Sequence, residues 1–511
     1  MNDIYLYERN LNKDTDYNVW FAFPECRSFA LSSLGYLWLF KELEMSEYIN
    51  AEMIYTDTSK TKIHRENIDA IGFSFSFDMD FINIFSMLER FKVPLKSIER
   101  EDIIVFAGGP VLTANPEPYK EFFDYIVIGD GERVNSKAIK ICRENKHLSK
   151  QEILEKLAQI EGVYVPTIHN FKNKVKKSQQ ELKGCVYTPI ISEDSFFKNT
   201  FILETSRGCY NRCGFCIASY LNLPARFVEY DDIISTIELG LKHTDKIALL
   251  GALVSAHPRF EDICKFIDEK IASGKQIEMS ISSLRADTIT PSVVKTLVST
   301  GQKHITIAIE SASERLRKVI NKNITEEQLF KTIKTAKENG LKGVKIYCMI
   351  GLPTETQADI EEFIRLGKDL KKEFKGFDIT FSFSTFVPKP HTPFQWTGRE
   401  DTKSLEKKEA FLKKEFHKNG INVKFSSAKW DYYQALLSRG DSSLTDYLIE
   451  VYKQGGKIGA YRSSAKALGI DTDKFVTQSF DMEKELPWDI IDITPGKQLL
   501  INEYNRLMKR A

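Results

Sequence analysis

Apolar and polar positions alternate with two different spacings along residues 1–165. Short apolar runs have the length of buried strands, and the segments between them repeat apolar residues at helical spacing. The predicted strands are YNVWFAFP, INAEMIYTD, DAIGFSFSFD, DIIVFAGGP and YIVIGDGE. Strands that alternate with helices predict an α/β domain, a parallel sheet with helices on both faces.

Residues 166–195 lose this periodicity and become polar and lysine-rich, so we interpret them as a linker. A second series of strands and helices follows in residues 196–400. Its predicted strands are TFILETSRG, KIALLGALV, IEMSISSLRAD, HITIAIES, GVKIYCMIG and DITFSFSTFVP. Six such units predict a partial (β/α)6 barrel rather than the full eight. Residues 401–511 contain amphipathic segments that predict a small, mainly helical C-terminal region.

Composition sets limits on the class of protein. A chain of 511 residues with 42% hydrophobic and 28% charged residues is typical of a multidomain globular protein. The near balance of 72 Lys and Arg against 71 Asp and Glu favours neither a large nucleic-acid footprint nor an anionic membrane, although a local basic patch stays compatible with it. The N-terminus lacks the apolar core of a signal peptide, so we expect a cytoplasmic protein.

Three of the eight cysteines, Cys209, Cys213 and Cys216, follow the first strand of the barrel series. Thiolates are soft ligands that suit zinc or an iron–sulfur cluster. Structural zinc takes four protein ligands, and no fourth cysteine or histidine lies close behind this triplet. We therefore predict an iron–sulfur cluster with one iron left open to an exogenous ligand, and a structural zinc site is the alternative.

Glycines end two strands of the N-terminal series. Gly108 and Gly109 lie in AGGP, and Gly129 and Gly131 lie in GDGE, which closes with Glu132. Ligands of parallel sheets bind beyond the carboxyl ends of the strands, so these residues are candidates for cofactor binding. Turn chemistry alone is the alternative interpretation of each glycine.

The stretch CYNRCGFC resembles the hallmark of the radical S-adenosylmethionine (radical SAM) superfamily, CxxxCxΦC, in which Φ is aromatic and is Phe215 here. The resemblance implies a 4Fe–4S cluster that binds S-adenosylmethionine and cleaves it reductively to methionine and a 5′-deoxyadenosyl radical. It also implies an external electron donor of the flavodoxin or ferredoxin type. The substrate would be a small molecule or a peptide, and RNA is a further possibility.

Later strand ends resemble the segments by which the family binds S-adenosylmethionine. The resemblance assigns Gly251 and Ala252 to the methionyl amino group, although Leu253 stands where the family has an acidic residue, and it assigns Ser283 and Arg285 to the carboxylate. Surface ion pairing is the alternative for Arg285.

The fourth and fifth strands continue the match. IAIESASERL implies ribose contacts from Glu310 and Arg315, and YCMIGLPTET implies adenine contacts from Ile350 and Gly351. A helix-terminal charge is the alternative role for Glu310. His391, in PKPHTPFQW after the sixth strand, is a candidate catalytic residue for proton relay or substrate binding.

A flavodoxin-like (Rossmann-like) domain ahead of such a barrel resembles the cobalamin-binding subfamily of radical SAM proteins and implies cobalamin as a further cofactor. Many such modules carry DxHxxG in the first strand–helix loop, where this chain reads PECRSFALSSLGY without histidine. Cobalamin bound here would therefore lack that ligand to cobalt. A small buried cysteine is the favoured role for Cys26 in this loop, and a domain that binds no cobalamin is the alternative.

Three functional hypotheses follow. The first is a radical SAM enzyme that is a cobalamin-dependent methyltransferase. The second keeps the radical chemistry without methyl transfer, for rearrangement, oxidation or RNA modification, with a degenerate cobalamin domain. The third, of another class, is an iron–sulfur redox or binding module.

Overall fold

A computed structural model describes residues 3–9, 14–281 and 284–511. Its first strands are β1 (Ile4–Tyr5), β2 (Thr15–Ala22), β3 (Tyr48–Ile54), β4 (Ala70–Ser74), β5 (Ile104–Gly108), β6 (Tyr125–Val127) and β7 (Val163–Tyr164). The helices beside them are α1 (Arg27–Ala30), α2 (Leu34–Met45), α3 (Phe81–Arg90), α4 (Pro110–Ala114), α5 (Val134–Glu144) and α6 (Lys150–Leu157).

The N-terminal sheet has the spatial order β3-β2-β4-β5-β6-β7, parallel except for β7. Its five parallel strands therefore follow the flavodoxin-like order 2-1-3-4-5. This confirms the predicted α/β fold class. The amphipathic pattern of PEPYKEFF, between β5 and β6, also predicts a helix, and this prediction is wrong. The segment forms only a 3-10 turn at Lys120–Phe122, because Pro116 and Pro118 lack the N–H groups that a helix needs.

The strands that follow are β8 (Val175–Lys176), β9 (Ile190–Ile191), β10 (Thr200–Arg207), β11 (Arg226–Phe227), β12 (Lys246–Gly251), β13 (Glu278–Ile281), β14 (His304–Glu310), β15 (Gly343–Ile350), β16 (Asp378–Thr385), β17 (Asn422–Phe425) and β18 (Ile491–Asp492). The helices of the second series are α7 (Tyr230–Gly240), α8 (Phe260–Ala272), α9 (Pro291–Ser299), α10 (Glu314–Val319), α11 (Glu326–Glu338) and α12 (Gln357–Glu373).

All six predicted barrel strands are present and parallel. They form two sheets, β11-β10-β12-β13 and β14-β15-β16-β17, which a single parallel bridge joins between Leu284 and Ile307. The result is an open partial barrel. A seventh parallel strand, β17, lies beside β16 in the region where the sequence predicts helices.

The C-terminal helices are α13 (Thr402–Lys418), α14 (Ala428–Arg439), α15 (Thr445–Lys453), α16 (Ile458–Leu468), α17 (Asp473–Val476) and α18 (Lys497–Met508). Leu436, Leu448 and Val451 of α14 and α15 share a buried core with Phe81 and Phe85 of α3. These helices thus cover one face of the N-terminal sheet. Within the described ranges, none of the helices is both long and apolar enough to cross a membrane.

Candidate active site

The cysteine loop begins where β10 ends, at the carboxyl edge of the barrel. Cys209, Cys213 and Cys216 all line one cavity of about 140 Å³, which we call the cysteine cavity. The loop folds back on itself, because the Cys209 N–H donates to Ala218 O at 3.1 Å and the Cys216 N–H donates to Cys213 O at 3.0 Å. Three thiols separated in sequence therefore face the same space.

Local contacts fix the shape of this loop. Gly208 has φ 79°, and a Cβ atom there would lie 2.3 Å from Asn222 O, so only glycine fits this turn. Asn321 Nδ2 donates to the carbonyl oxygens of Asn211 and Arg212 at 3.0 Å each. The loop is thereby tied to the chain that follows α10.

The C-terminal helix packs directly against the loop. A Cβ atom on Gly214 would lie 2.6 Å from Leu507 Cδ1 of α18. The Gly214 N–H donates to Ile320 O at 2.9 Å, and the Phe394 N–H donates to Gly214 O at 3.2 Å. The outer side of the cysteine loop is therefore enclosed by α10, α18 and the turn that contains Phe394.

Charged side chains form the opposite wall of the cysteine cavity. Lys322 Nζ lies 3.2 Å from Glu310 Oε1, and both side chains are only 12% exposed. Arg285 lines the same wall and pairs with Asp287 at 2.7 Å. The cavity thus offers two cationic groups and one carboxylate beside three thiols.

The electrostatics of this wall favour a charged lysine. Burial alone would lower the pKa of Lys322, but Glu310 and Cys213 together outweigh burial and raise it. Burial raises the pKa of the Cys213 thiol to about 12, and Lys322 opposes that shift. Glu310 has φ 65°, an unusual backbone conformation for a non-glycine residue and one that is frequent at functional sites.

Of the other predicted residues on β12 and in the cysteine loop, some line the cysteine cavity and one does not. Phe215 and Ala252 line the cysteine cavity. Gly251 lies behind it, where a Cβ atom would approach Ser206 Oγ to 2.4 Å. Ser283 lies outside the described residues.

The predicted ribose and adenine contacts are more remote. Arg315 binds Asp359 at 2.5 Å and the Thr354 carbonyl at 2.8 Å, and it does not line the cysteine cavity. Ile350 is fully buried in the barrel core, and the Gly351 N–H donates to Glu355 Oε1 at 2.9 Å. Their contacts with the nucleoside remain predictions.

His391 lies in a separate cavity of about 80 Å³, beside Asp489 and Lys497 of the C-terminal region. Its backbone N–H donates to Gln395 Oε1 at 2.9 Å, and its ring nitrogen Nε2 has no hydrogen-bond partner. Burial lowers the pKa of His391 to about 4, so the ring is neutral at physiological pH. Its catalytic role remains a prediction.

Sequence reasoning missed Lys322, Asn211 and Ser255, which all line the cysteine cavity. Asn211 Nδ2 donates to Cys209 Sγ at 3.4 Å, and Ser255 Oγ accepts from the Arg285 N–H at 3.1 Å. The sequence offers no specific signal for Lys322, because α10 separates it from Glu310 and three other cationic residues lie between the two. Spacing along the chain does not reveal that the two side chains meet.

A second cavity, of about 220 Å³, lies at the carboxyl edge of the N-terminal sheet, and we call it the sheet-end cavity. Gly108, Gly109, Gly129 and Gly131 all line it, together with Gly35 of α2. The four strand-end glycines that the sequence singled out thus surround one space.

Close backbone approaches explain two of these glycines. Gly109 has φ 126°, and a Cβ atom there would lie 2.4 Å from Phe75 O. Gly129 has φ 99°, and its Cβ atom would lie 2.1 Å from Ser178 O. A side chain at either position would clash with the neighbouring backbone, so the observed shape of the sheet-end cavity requires glycine at both.

A buried ion network joins the two sheet edges. Arg207, at the end of β10, binds Asp130 at 2.9 Å, Glu132 at 2.8 Å and Glu204 at 2.6 Å. Arg226 holds the other oxygen of Asp130 at 2.7 Å. Glu132, a predicted cofactor residue, therefore belongs to the contact between the N-terminal sheet and the cysteine loop.

The inner face of the barrel sheet is polar. Val344 and Ile346 of β15 are buried under the helices, so Lys345 and Tyr347 point the opposite way, and Tyr347 is 40% exposed. Hydroxyl side chains of β14 and β16 accompany them on this inner face: Thr306, Thr380, Ser382 and Ser384. Branched apolar residues normally fill a (β/α) barrel, so a polar inner face favours ligand binding.

The donor set of the cysteine cavity fits an iron–sulfur cluster. In the described residues, no three His, Cys, Asp or Glu side chains converge on a point that could hold one metal ion. A cubane cluster places each thiolate on a different iron, so three spaced thiols facing one cavity suit it. Cys209, Cys213 and Cys216 would be its ligands.

Two family models match the chain. The model described as radical SAM proteins, N-terminal, matches residues 38–166, and that of the radical SAM superfamily matches residues 203–367. The second match contains all three cysteines of the cavity and Glu310.

Curated relatives extend the match. The uncharacterized protein MJ0966 of Methanocaldococcus jannaschii is 34% identical over 389 residues, which cover 75% of this chain and 80% of that protein. An uncharacterized methyltransferase of Pyrococcus horikoshii, PH0819, is 27% identical over 296 residues, or 55% of this chain and 61% of that protein. The chain thus spans less than two thirds of the length of that methyltransferase.

Among solved structures, the cobalamin-dependent S-adenosylmethionine radical enzyme OxsB, with aqua-cobalamin and S-adenosylmethionine bound, matches with a TM-score of 0.54. The alignment covers 96% of this chain and 79% of OxsB at 15% sequence identity. The two proteins therefore share a fold over nearly the whole of this chain.

Proposed function

This chain belongs to the radical SAM superfamily, and from that premise we propose that it is an S-adenosylmethionine-cleaving enzyme that transfers a methyl group with the help of cobalamin. The observation that carries the proposal is the cysteine cavity, where three thiols face Lys322, Glu310 and Arg285. The cluster and S-adenosylmethionine would together supply a 5′-deoxyadenosyl radical, while the protein supplies positions and charges.

The walls of the cysteine cavity complement the polar groups of S-adenosylmethionine. Lys322 and Arg285 are cationic groups suited to its methionyl carboxylate. Glu310 is a carboxylate suited to accept hydrogen bonds from ribose hydroxyl or amino groups. Because these side chains are already held by Asp287 and by one another, they are oriented before the ligand arrives.

The sheet-end cavity supports the cobalamin part of the proposal. It lies beyond the carboxyl ends of β4, β5 and β6, where flavodoxin-like sheets bind ligands. The cobalamin-dependent enzyme OxsB has the same fold. This similarity concerns the fold and not the individual residues of a cobalamin site. The first strand–helix loop offers Cys26, whose Sγ lies 3.2 Å from Ser28 Oγ, and no histidine, so cobalamin would bind here without the usual imidazole from that loop.

The substrate would lie on the inner face of the barrel. Lys345, Tyr347 and the hydroxyls beside them favour a polar substrate over a purely apolar one. Electrons would come from an external flavodoxin or ferredoxin. The enclosed cysteine loop shields the three cysteines from solvent. Tyr210, which is exposed, lies on the side of the loop that faces solvent.

Anaerobic reconstitution tests the proposal. We expect about four iron and four sulfide per chain, corrin absorbance after incubation with hydroxocobalamin, and methionine and 5′-deoxyadenosine once a reductant is added. Cleavage of S-adenosylmethionine without bound corrin would instead support radical chemistry without methyl transfer. A reconstituted cluster that neither binds nor cleaves S-adenosylmethionine would support a redox or binding module.

A further inference from the structure

Basic side chains are grouped on the outer side of the cysteine loop, and we call this group the basic patch. Its members come from the loop itself, from α10 and from the end of α18: Arg212, Lys318, Arg506, Lys509 and Arg510. Four of them are exposed, and the side chain of Arg506 is 39% exposed. The charged groups of the basic patch are therefore accessible to a partner in solution.

Hydrogen bonds place these side chains beside one another. Arg510 Nη1 donates to the Lys318 carbonyl oxygen and to Asn321 Oδ1, at 3.2 Å each. Asn321 Nδ2 donates in turn to the Arg212 carbonyl oxygen at 3.0 Å. Arg506 lies about one helical turn before Arg510 on α18, so both face the same side of that helix. The three elements thus meet at one surface.

Positive charge is in excess among the side chains of this surface. Glu314 pairs with Lys318 at 2.8 Å. Glu503 pairs with Arg506 at 2.6 Å. Both pairs lie within a single helix and leave the other members untouched. Three cations of the basic patch have no carboxylate partner in the part of the chain that the structure describes: Arg212, Lys509 and Arg510.

The basic patch is connected to one of the predicted cluster ligands. Asn321 Nδ2 also donates to Asn211 O at 3.0 Å, and Asn211 Nδ2 donates to Cys209 Sγ at 3.4 Å. Three successive hydrogen bonds therefore lead from Arg510 at the surface to the Cys209 sulfur. No member of the basic patch lines the cysteine cavity, so the patch and the S-adenosylmethionine side of the loop are distinct.

We propose that the basic patch is the docking surface for the electron donor, an acidic one-electron redox protein, and this inference rests on the proposed function. One electron leaves the reduced cofactor of the donor and enters the cluster, so the donor is oxidised by one electron and the cluster is reduced by one. No covalent bond forms or breaks. Complementary charge accelerates the encounter of such partners, and transient redox complexes bury small interfaces, so a compact charged surface suffices.

A nucleic acid is the other polyanion that a basic patch can attract. The position of this patch favours the redox protein instead. A nucleic-acid substrate has to reach the cavity side of the cysteine loop, where Lys322 and Glu310 lie. An electron donor only has to approach the cysteine ligands from outside, which is where the patch lies.

Titration of the reconstituted full chain with a flavodoxin of strongly negative net charge tests this surface, with flavin fluorescence as the measure of binding. At an ionic strength of about 0.01 M, Lys318→Glu/Lys509→Glu should bind about tenfold or more weaker than the wild type, because repulsive charges replace attractive ones. The difference should vanish at about 1 M, where the Debye length is about 3 Å. Lys466→Glu is the matched control and should bind like the wild type. Lys466 is an exposed lysine in the last turn of α16, which packs against α14 and α15.

Equal affinity of the wild type and the double variant for flavodoxin, or no binding of flavodoxin to the wild type, would overturn the proposal. Bulk transfer RNA is titrated in parallel. If the double variant loses RNA binding and keeps flavodoxin binding, the basic patch is a nucleic-acid surface and the proposal is wrong. If the double variant does not fold, Lys509→Glu takes its place, with an expected loss of about threefold or more in affinity.

Photoreduced deazaflavin, a small uncharged donor that needs no docking surface, separates this inference from the proposed function. With deazaflavin, the wild type and the double variant should cleave S-adenosylmethionine at equal rates. With reduced flavodoxin at low salt, the cluster of the double variant should be reduced about tenfold or more slowly. Absence of cleavage by the wild type with deazaflavin would contradict the proposed function, whereas the affinity for flavodoxin reports on the basic patch alone.

Discussion

Arg207 Nη1 lies 2.9 Å from Asp130 Oδ1, and this ion pair joins the strand that leads into the cysteine loop to the glycine-rich end of the N-terminal sheet. Because Arg207 also binds Glu132 and Glu204, one guanidinium compensates three carboxylates at the contact between the two sheets. The Arg207 side chain, which is 15% exposed, therefore contributes to the position of the sheet-end cavity relative to the cysteine loop.

Arg207→Met should destabilise the protein strongly. It leaves Asp130, Glu132 and Glu204 without their shared cation, and removal of one partner from a buried ion pair costs about 3–5 kcal/mol. Urea unfolding of the apoprotein measures the loss. Lys183→Met, whose pair with Glu181 is exposed, is the control and should change stability by less than about 1 kcal/mol. A loss that small for Arg207→Met would mean that the network does not support the contact.

The same network predicts a pH dependence. Burial alone would raise the pKa of Asp130, but Arg207 and Arg226 overcome it and hold that pKa below its usual value. A carboxyl group with a lowered pKa stabilises the fold above its unfolded pKa of about 4, and this contribution is lost as pH falls through the lower folded value. The wild type should therefore lose more stability between neutral pH and acid than Asp130→Asn. Parallel losses in urea unfolding at both pH values would contradict this.

Cys213→Ala should abolish cleavage of S-adenosylmethionine and lower the iron content below about four per chain, because one iron loses its thiolate. Iron analysis, electron paramagnetic resonance and assay of 5′-deoxyadenosine measure the change. Cys264→Ala is the matched control, since Cys264 is equally buried but lies in the barrel core behind the strands. Residual cleavage by Cys213→Ala at the level of the control would refute the assignment of the cluster.

The sequence predicted the parts of this protein that depend on local pattern. The six barrel strands and the parallel N-terminal sheet follow from apolar runs of strand length. The cysteine triplet indicates an iron–sulfur cluster through its resemblance to the CxxxCxΦC motif. The sequence did not predict strand β17, because the strand has only four residues. It follows a lysine-rich helix whose helical periodicity is the stronger signal in that region. Periodicity reveals short strands poorly when their neighbours carry the stronger signal.

Contacts between distant segments were beyond prediction. Nothing in the local sequence distinguishes Lys322 from the other lysines of the chain. The fold places it beside Glu310 in the wall of the cysteine cavity. Lys177 lies in a segment that the sequence indicates only as a linker, yet the structure buries it between three parts of the chain. Burial of a charge depends on tertiary packing, which no local spacing encodes.

Lys322→Met should weaken S-adenosylmethionine binding by about tenfold or more, because a hydrogen bond to a charged group contributes about 1.5–3 kcal/mol. The cluster should remain, since lysine is not one of its ligands. Calorimetry of the reconstituted protein measures the affinity. Lys318→Met, at an exposed lysine of the same helix region, is the control. Unchanged affinity in Lys322→Met would remove this residue from the site.

Gly35→Leu should block corrinoid binding without harming the fold. Gly35 lines the sheet-end cavity, and a Cβ atom there meets nothing within 4 Å, so the leucine side chain can extend into the space that a corrinoid would need. Glycine in a helix also costs about 0.5–1 kcal/mol relative to alanine, so the melting temperature should hold or rise.

Corrin absorbance after incubation with hydroxocobalamin and gel filtration measures this effect. Gly459→Leu, on α16, is the control, because its Cβ is equally unobstructed and the residue does not line the sheet-end cavity. We expect the control to retain corrin while Gly35→Leu loses it. If both variants retained the same corrin, the sheet-end cavity would not be where the cofactor enters, and the N-terminal domain would contribute to the enzyme only by packing against the barrel.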